Sequence, residues 1–245
     1  MLELQNVNVI AEGKPILTDI SFKIPDGETH ILMGPNGSGK TTLLHAIMGT
    51  GNIEIKSGQI IFEGEDITAL PTHERARRGI GVAAQRPPVI QELTLATLVD
   101  LVKKAGNGAK NVDELVQTMN CGYLMDRRFN VNFSGGEVKR AEFLQLLVQD
   151  PKLALIDEPE SGVDLDNIAV IGRALHRLLK QEKVLDRHKS GLIITHTGYI
   201  LEYLNADRGY VLIDGHIACS GNPRDLFEEV EIHGYEGCEQ CIRCQ

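Results

Sequence analysis

The run Gly34-Pro35-Asn36-Gly37-Ser38-Gly39-Lys40-Thr41-Thr42 constrains this chain more than any other stretch. It fits the spacing G-x-x-x-x-G-K-[ST]. Thr29-His30-Ile31-Leu32-Met33 reads as a short buried strand entering it, and Thr42-Leu43-Leu44-His45-Ala46-Ile47-Met48 as a helix leaving it. Glycines at 34, 37 and 39 let the backbone curl so that its N–H groups point inward at an anion. The helix start adds its partial positive charge at the same place. A loop so built holds phosphate. Lys40 is placed to reach β- and γ-phosphates, and the Thr41 hydroxyl to ligate Mg²⁺.

The rest of the composition narrows the partners. With 245 residues, 42% apolar and 24% charged, the chain has ample material for a soluble core. No apolar run approaches the ~18 residues that a bilayer span needs. The N-terminus lacks the basic region and apolar core of a secretory signal, so the expected location is cytoplasmic, without membrane insertion. A formal charge of −9, no Trp and few aromatics argue against nucleic acid as a partner. Arg75-Ala76-Arg77-Arg78 reads as a solvated helix face rather than a binding patch.

Taken in order, Leu2, Leu4, Val7 and Val9, then Ile16, Leu17, Ile20, Phe22 and Ile24, predict N-terminal strands with turns at Glu12-Gly13-Lys14 and Pro25-Asp26-Gly27. Residues 10–14 offer no aromatic to stack on a base, so base recognition is expected to be weak. A strand bounded by glycines is expected over 58–64. A helix follows over 72–78 with Thr72 as N-cap, then a buried strand over 80–84 ending at Gln85. Residues 94–149 read as mostly helical, an inserted lobe spanning about 88–150, with Leu95, Leu98, Val99 and Val102 on one face. Gly106-Asn107-Gly108 interrupts it.

Within the lobe, Ser134 as N-cap and Glu137 three residues on form a capping box. The box explains both residues. It does not explain Gly135 and Gly136, each costing up to ~1 kcal/mol against Ala in a first turn. Glycines there suit a close approach to the backbone, with an anion at the helix start as the natural candidate. After Pro151, Leu153-Ala154-Leu155-Ile156 is the continuous apolar run of a central parallel strand. It ends in Asp157-Glu158, at the sheet edge where open α/β sheets bind ligands. Asp157 suits Mg²⁺ held through water, and Glu158 suits orienting an attacking water. The alternation continues with a helix over 166–183, a strand over 191–195 ending at His196, a hairpin turning at Asp214-Gly215, and a terminal helix from Asn222.

With these pieces in order, residues 1–230 resemble the ATP-binding-cassette (ABC) ATPases. The resemblance rests on the phosphate loop, Gln85 as Q-loop, Ser134-Gly135-Gly136-Glu137 as signature, Asp157-Glu158 after an apolar strand, Ser161-Gly162-Val163-Asp164 as D-loop, and His196 as switch histidine. It implies an α/β fold: a RecA-like parallel-sheet core with an N-terminal antiparallel β subdomain and the inserted helical lobe, one domain over 1–232. It implies Glu158, His196 and Gln85 as catalytic residues, and Thr41, Gln85 and Asp157 around Mg²⁺. It implies ATP held by 34–42 of one copy and by Ser134–Glu137 and Asp164 of a second, paired head to tail. Phe133-Ser134-Gly135-Gly136-Glu137-Val138-Lys139-Arg140 and Glu158-Pro159-Glu160-Ser161-Gly162-Val163-Asp164-Leu165-Asp166 further resemble the iron–sulfur cluster assembly branch, the SufC-type ATPases. That branch implies a soluble SufB/SufD-like scaffold as partner; the alternative is a transmembrane importer partner docking near Gln85.

Five cysteines remain. Cys121 and Cys219 read as buried small hydrophobes. Cys238-Glu239-Gln240-Cys241-Ile242-Arg243-Cys244, in a tail over 233–245 outside the ABC pattern, has the C-x₂-C-x₂-C spacing of cluster ligands. Three readings stand for it: an Fe–S or Zn²⁺ site with a fourth ligand such as His233 or Cys219, a thiol relay, or a solvated end.

Overall fold

A computed structural model describes residues 1–106, 111–180 and 188–239. Its first sheet follows from alternation. In β1 (Leu2–Ala11) the side chains of Leu2, Leu4, Val7 and Val9 turn inward, as do Leu17, Ile20, Phe22 and Ile24 in β2 (Lys14–Ile24). The step of three from Leu4 to Val7 is a register shift, where Asn6 takes φ 49° and its amide donates to Asp19 Oδ1 at 2.6 Å. β1 pairs antiparallel with β2 on one side and β4 (Ile53–Phe62) on the other, and β5 (Glu65–Asp66) closes the order β2-β1-β4-β5. The strand expected over 58–64 thus begins at Ile53, and Gly58 lies inside it, where pairing with β1 shifts register. Glu54 and Lys56 hide that first half from a hydrophobicity reading.

The second sheet is built from β3 (Thr29–Met33), β6 (Ile80–Ala83), β9 (Leu153–Asp157), β10 (Ser190–Ile194), β11 (Arg208–Ile213) and β12 (His216–Gly221), in the order β12-β11-β3-β10-β9-β6. All pairings are parallel except the β11–β12 hairpin. Ile194 lies opposite both Asp157 and Leu32, and Ala83 lies opposite Ile156. Four strands therefore end together at one edge, and the loops leaving them share that edge.

Both faces of this sheet are covered, which is why its strands are apolar throughout. Leu32, Leu153, Leu155, Leu192 and Ile194 pack towards α1 (Lys40–Met48) and the first sheet. Ile31, Met33, Ala154, Ile156 and Ile193 pack towards α5 (Gly135–Gln149) and α6 (Leu165–Lys180). α2 (Thr72–Arg77) differs from expectation in two ways. Pro71 holds the N-cap position, and the Thr72 hydroxyl donates to Gly49 O instead. Arg75 is not solvated: it is 2% exposed and donates to the carbonyls of Ala46, Ile47, Thr68 and Leu70. Two of these are the last carbonyls of α1, which a helix leaves unpaired.

The lobe is helical with one strand pair the periodicity conceals. β7 (Ile90–Thr94) pairs antiparallel with β8 (Arg128–Phe129), ahead of α3 (Leu95–Ala105) and on either side of α4 (Val112–Thr118). Thr94 caps α3, accepting from the Thr97 N–H at 3.2 Å. The chain ends its described part in α7 (Pro223–Glu239), kinked at Gly234. No helix among the described residues is long and apolar enough to cross a membrane. Cys121 is fully buried, and burial pushes its thiol up to about 12.

Candidate functional site

The shared edge of the second sheet carries the site. β3 ends at Met33 and the chain turns through the glycine loop into α1, which starts at Lys40, two residues earlier than the sequence suggests. The loop geometry leaves no room for side chains at two points. A Cβ at Gly34 would stand 2.1 Å from Leu212 O, and Gly39, with φ 104°, would press one against Leu17 at 2.7 Å. Lys40 is 6% exposed and lies back along the loop, its ammonium donating to Gly34 O at 2.9 Å and Pro35 O at 2.8 Å. Burial lowers its pKa, and the nearby carboxylates of Glu158 and Asp157 oppose that shift.

Parallel register brings the acids beside this loop. Thr41 Oγ1 donates to Asp157 Oδ2 at 2.9 Å, linking the first turn of α1 to the end of β9. Asp157 is 3% exposed, and its Oδ1 is buried without a hydrogen-bond partner among the described residues; Ser38 Oγ shares that condition. Burial raises the Asp157 pKa, against the Thr41 hydrogen bond. Unsatisfied buried oxygens are costly. A hard cation is the natural partner for a hydroxyl and a carboxylate so placed, and the set fits Mg²⁺.

Glu158 takes φ 47°, a left-handed conformation held by its N–H donating to Ile194 O at 3.0 Å. Such a conformation costs on the order of 1–3 kcal/mol and collects at functional positions. It aims the carboxylate between two loops. Gln85 Nε2, just beyond β6, donates to Glu158 Oε2 at 2.5 Å, and His196 Nε2 stands 2.7 Å from Oε1. Three residues from three strand ends, far apart in sequence, thus meet at one carboxylate. Gln85, Asp157, Glu158 and His196 all stand where the sequence places them. A hydrogen-bonded carboxylate within reach of a phosphate loop can orient water for attack on phosphorus.

The signature segment is engaged elsewhere. Ser134 and Glu137 form the expected capping box: Glu137 Oε2 accepts from the Ser134 N–H at 2.7 Å, and Ser134 Oγ from the Glu137 N–H at 3.3 Å. The glycines have a second reason that the sequence does not suggest. A Cβ on Gly135 would meet Gly162 O at 2.6 Å, and one on Gly136 would meet Asn167 Nδ2 at 2.3 Å. The D-loop of the same chain is therefore one of the groups that approach this backbone. Asp164 in turn caps α6, its Oδ1 accepting from the Asn167 N–H at 2.9 Å and the Asn167 amide at 2.8 Å. These backbone and side-chain hydrogen bonds lower its pKa. Ser134 and Gly135 remain exposed, and no hydrogen bond joins them to the Lys40 loop among the described residues.

Two further groups escaped the sequence reading as site residues. Glu160, 9% exposed, accepts from the hydroxyls of Thr195 and Thr197, the neighbours of His196. Lys139 and Glu142, both buried on α5, bind the backbone of Ala84, next to Gln85. The signal for Glu160 was present as a second acid two residues after Glu158. Nothing local marks the other pair. Among the described residues no group of three or more His, Cys, Asp or Glu is arranged to hold a metal. Cys241, Cys244 and the side chain of Cys238 lie outside the described residues, and the expected tail site with them. Cys219, offered as a fourth ligand, is buried and disulfide-bonded, so it presents no free thiolate.

The family model described as "ABC transporter" matches residues 17–161. A probable ABC transporter ATP-binding protein of Streptococcus pyogenes is 37% identical, the match covering 98% of this chain and 95% of that protein. The probable ATP-dependent transporter SufC of Escherichia coli (strain K12) is 34% identical over 96% of this chain and 97% of its own. A crystal structure of a nucleotide-free ATP-binding cassette from an ABC transporter shares the fold, with TM-score 0.77, 24% identity and 95% of each chain covered.

Proposed function

Because the chain belongs to the ABC family of ATP-binding proteins, whose members hydrolyse ATP, we propose that it is the ATPase of a soluble iron–sulfur cluster assembly scaffold. Its site residues take the following parts. The backbone N–H groups of 36–41 and the Lys40 ammonium hold the β- and γ-phosphates, and Lys40 exchanges its contacts with Gly34 O and Pro35 O for phosphate oxygens. Thr41, Asp157 and the Gln85 amide oxygen would hold Mg²⁺, which would supply charge neutralisation at the phosphates. Glu158 orients the attacking water, once Gln85 and His196 release its oxygens, and His196 donates to the γ-phosphate. The supporting observation is the convergence of Gln85 and His196 on Glu158 beside the loop.

A second copy completes the site. Ser134, Gly135, Gly136 and Glu137 open a helix whose exposed start suits an anion, and Asp164 stands beside it. Head-to-tail pairing supplies that anion as the γ-phosphate bound by the other copy's Lys40 loop. Turnover then depends on closure, and the isolated chain hydrolyses ATP slowly.

The scaffold reading is supported by the acidic and basic residues at 137, 139 and 160, and by the likeness to the E. coli SufC protein. Co-expression with a SufB/SufD-like scaffold should give a complex that purifies without detergent and hydrolyses ATP faster than the chain alone. The second reading, an ATP-binding subunit of a membrane transporter, is favoured by the name of the streptococcal relative. Association only with a polytopic permease, in detergent, would establish that reading and remove the first.

Cys238, Cys241 and Cys244 extend the scaffold reading. Once the disulfide at Cys219 is reduced, three thiols within seven residues can converge on one centre at low chain-entropy cost. Anaerobic, reducing purification should yield protein with iron and sulfide or with zinc, lost in Cys241→Ser. A metal-free preparation unchanged by reconstitution and identical to Cys241→Ser would leave the tail a solvated end.

A further inference from the structure

α5 begins at the signature and carries, one and two turns on, a buried ion pair that serves neither capping nor the lobe core. Lys139 is 3% and Glu142 6% exposed, with Nζ and Oε2 3.4 Å apart. Both spend their remaining capacity on one residue of another element. Lys139 Nζ donates to Ala84 O at 2.8 Å, and Glu142 Oε1 accepts from the Ala84 N–H at 2.6 Å. Ala84 follows the last residue of β6 and precedes Gln85, whose amide donates to Glu158 at 2.5 Å. Edge-strand backbone at that point has no sheet partner for either group, so an ion pair has taken the place of a strand.

We infer that Lys139 and Glu142 are positioning residues which tie the backbone of Ala84 to the signature helix and so set Gln85 against Glu158. The physical case is one of geometry and cost. Two charges leave water at several kcal/mol each, and a well-packed apolar pair would stabilise the fold as well or better. What an apolar pair cannot do is grip an N–H and a C=O of the same residue at once. Burial pushes the Glu142 carboxyl up to about 6 even with Lys139 beside it, consistent with a charge held at a cost. Movement of the helix that presents Ser134 and Gly135 to a second copy then pulls Ala84, and with it the amide that occupies Glu158. A chain of four contacts links signature to catalytic carboxylate within one copy.

This inference rests on the assignment of Gln85 and Glu158 to the hydrolytic site, and a double-mutant cycle separates the two. ATP turnover is measured for Gln85→Ala, for the double variant Lys139→Met/Glu142→Leu, and for the three changes together. The apolar pair keeps the volume and removes both charges, so the fold should persist. The expected result is a drop in kcat of about tenfold for the double variant with KM for ATP unchanged, and no more than about twofold further loss when Gln85→Ala is added to it. Glu142→Gln, which keeps an acceptor for Ala84 N–H, should retain kcat within about twofold, whereas Glu142→Ala should not. A Gln85→Ala loss of equal size in both backgrounds overturns the coupling alone. An unchanged rate for Gln85→Ala in the parent protein overturns the underlying site assignment and the coupling with it. If the double variant is too unstable to assay, equal kcat for Glu142→Gln and Glu142→Ala overturns the inference.

Discussion

Glu158→Gln is expected to lower ATP turnover by about 10²-fold or more while leaving ATP affinity nearly unchanged. The substitution removes the charge that draws a proton from attacking water, and preserves shape. Gln85 and His196 touch the two different oxygens of this side chain, at 2.5 Å and 2.7 Å, and the single oxygen of an amide can keep one of these contacts. The left-handed backbone at 158, held by Ile194 O, involves no side-chain atom and should persist. The measurement is steady-state phosphate release alongside equilibrium binding of ATP. Retention of most of the parent rate would remove Glu158 from the catalytic role.

Lys40→Ala should act on binding instead. Its ammonium is the only charge that the loop 34–41 itself brings to the phosphates, and a hydrogen bond to a charged group contributes roughly 1.5–3 kcal/mol. Two such bonds to phosphate oxygens amount to a loss of about 10²-fold or more in ATP affinity. The loop loses shape as well, because Gly34 O and Pro35 O lose their donor. Lys40→Arg is the informative control: it keeps the charge, but a planar guanidinium does not fit a pocket whose side chain is 6% exposed. Titration calorimetry with ATP and Mg²⁺ reads both variants. An affinity within twofold of the parent for Lys40→Ala would contradict the phosphate-holding role.

Much of this arrangement could be read from residues alone, for a physical reason. The loop from Gly34 to Thr41, the apolar strand ending in Asp157-Glu158, and the Ser134–Glu137 capping box are each specified by neighbours within a few positions. Local rules reach them. The parts that stayed hidden depend on contacts between distant segments. Arg75 looked solvated in a basic run, yet it closes the carbonyl end of α1 from 28 and 29 residues away. The β7–β8 pair joins residues separated by the whole of α3 and α4, with Gln91 and Glu92 diluting any strand signal. Gly135 and Gly136 stood out as costly, and part of the cause lies in Gly162 and Asn167. Lys139 and Glu142 read as ordinary helix polarity until Ala84 is placed between them. Sequence patterns locate the chemistry at the strand ends; packing decides which residues hold it in place.

On the proposed function, one chain carries halves of two different sites, and ATP joins two copies head to tail. Sedimentation velocity of the Glu158→Gln variant tests it directly, since slowed hydrolysis preserves the ATP-bound pair. A monomer without nucleotide, a dimer with ATP and Mg²⁺, and a return to monomer when Ser134→Trp blocks the exposed helix start are the expected results. A monomer at saturating ATP and high protein concentration, and still a monomer with the scaffold partner present, would contradict it.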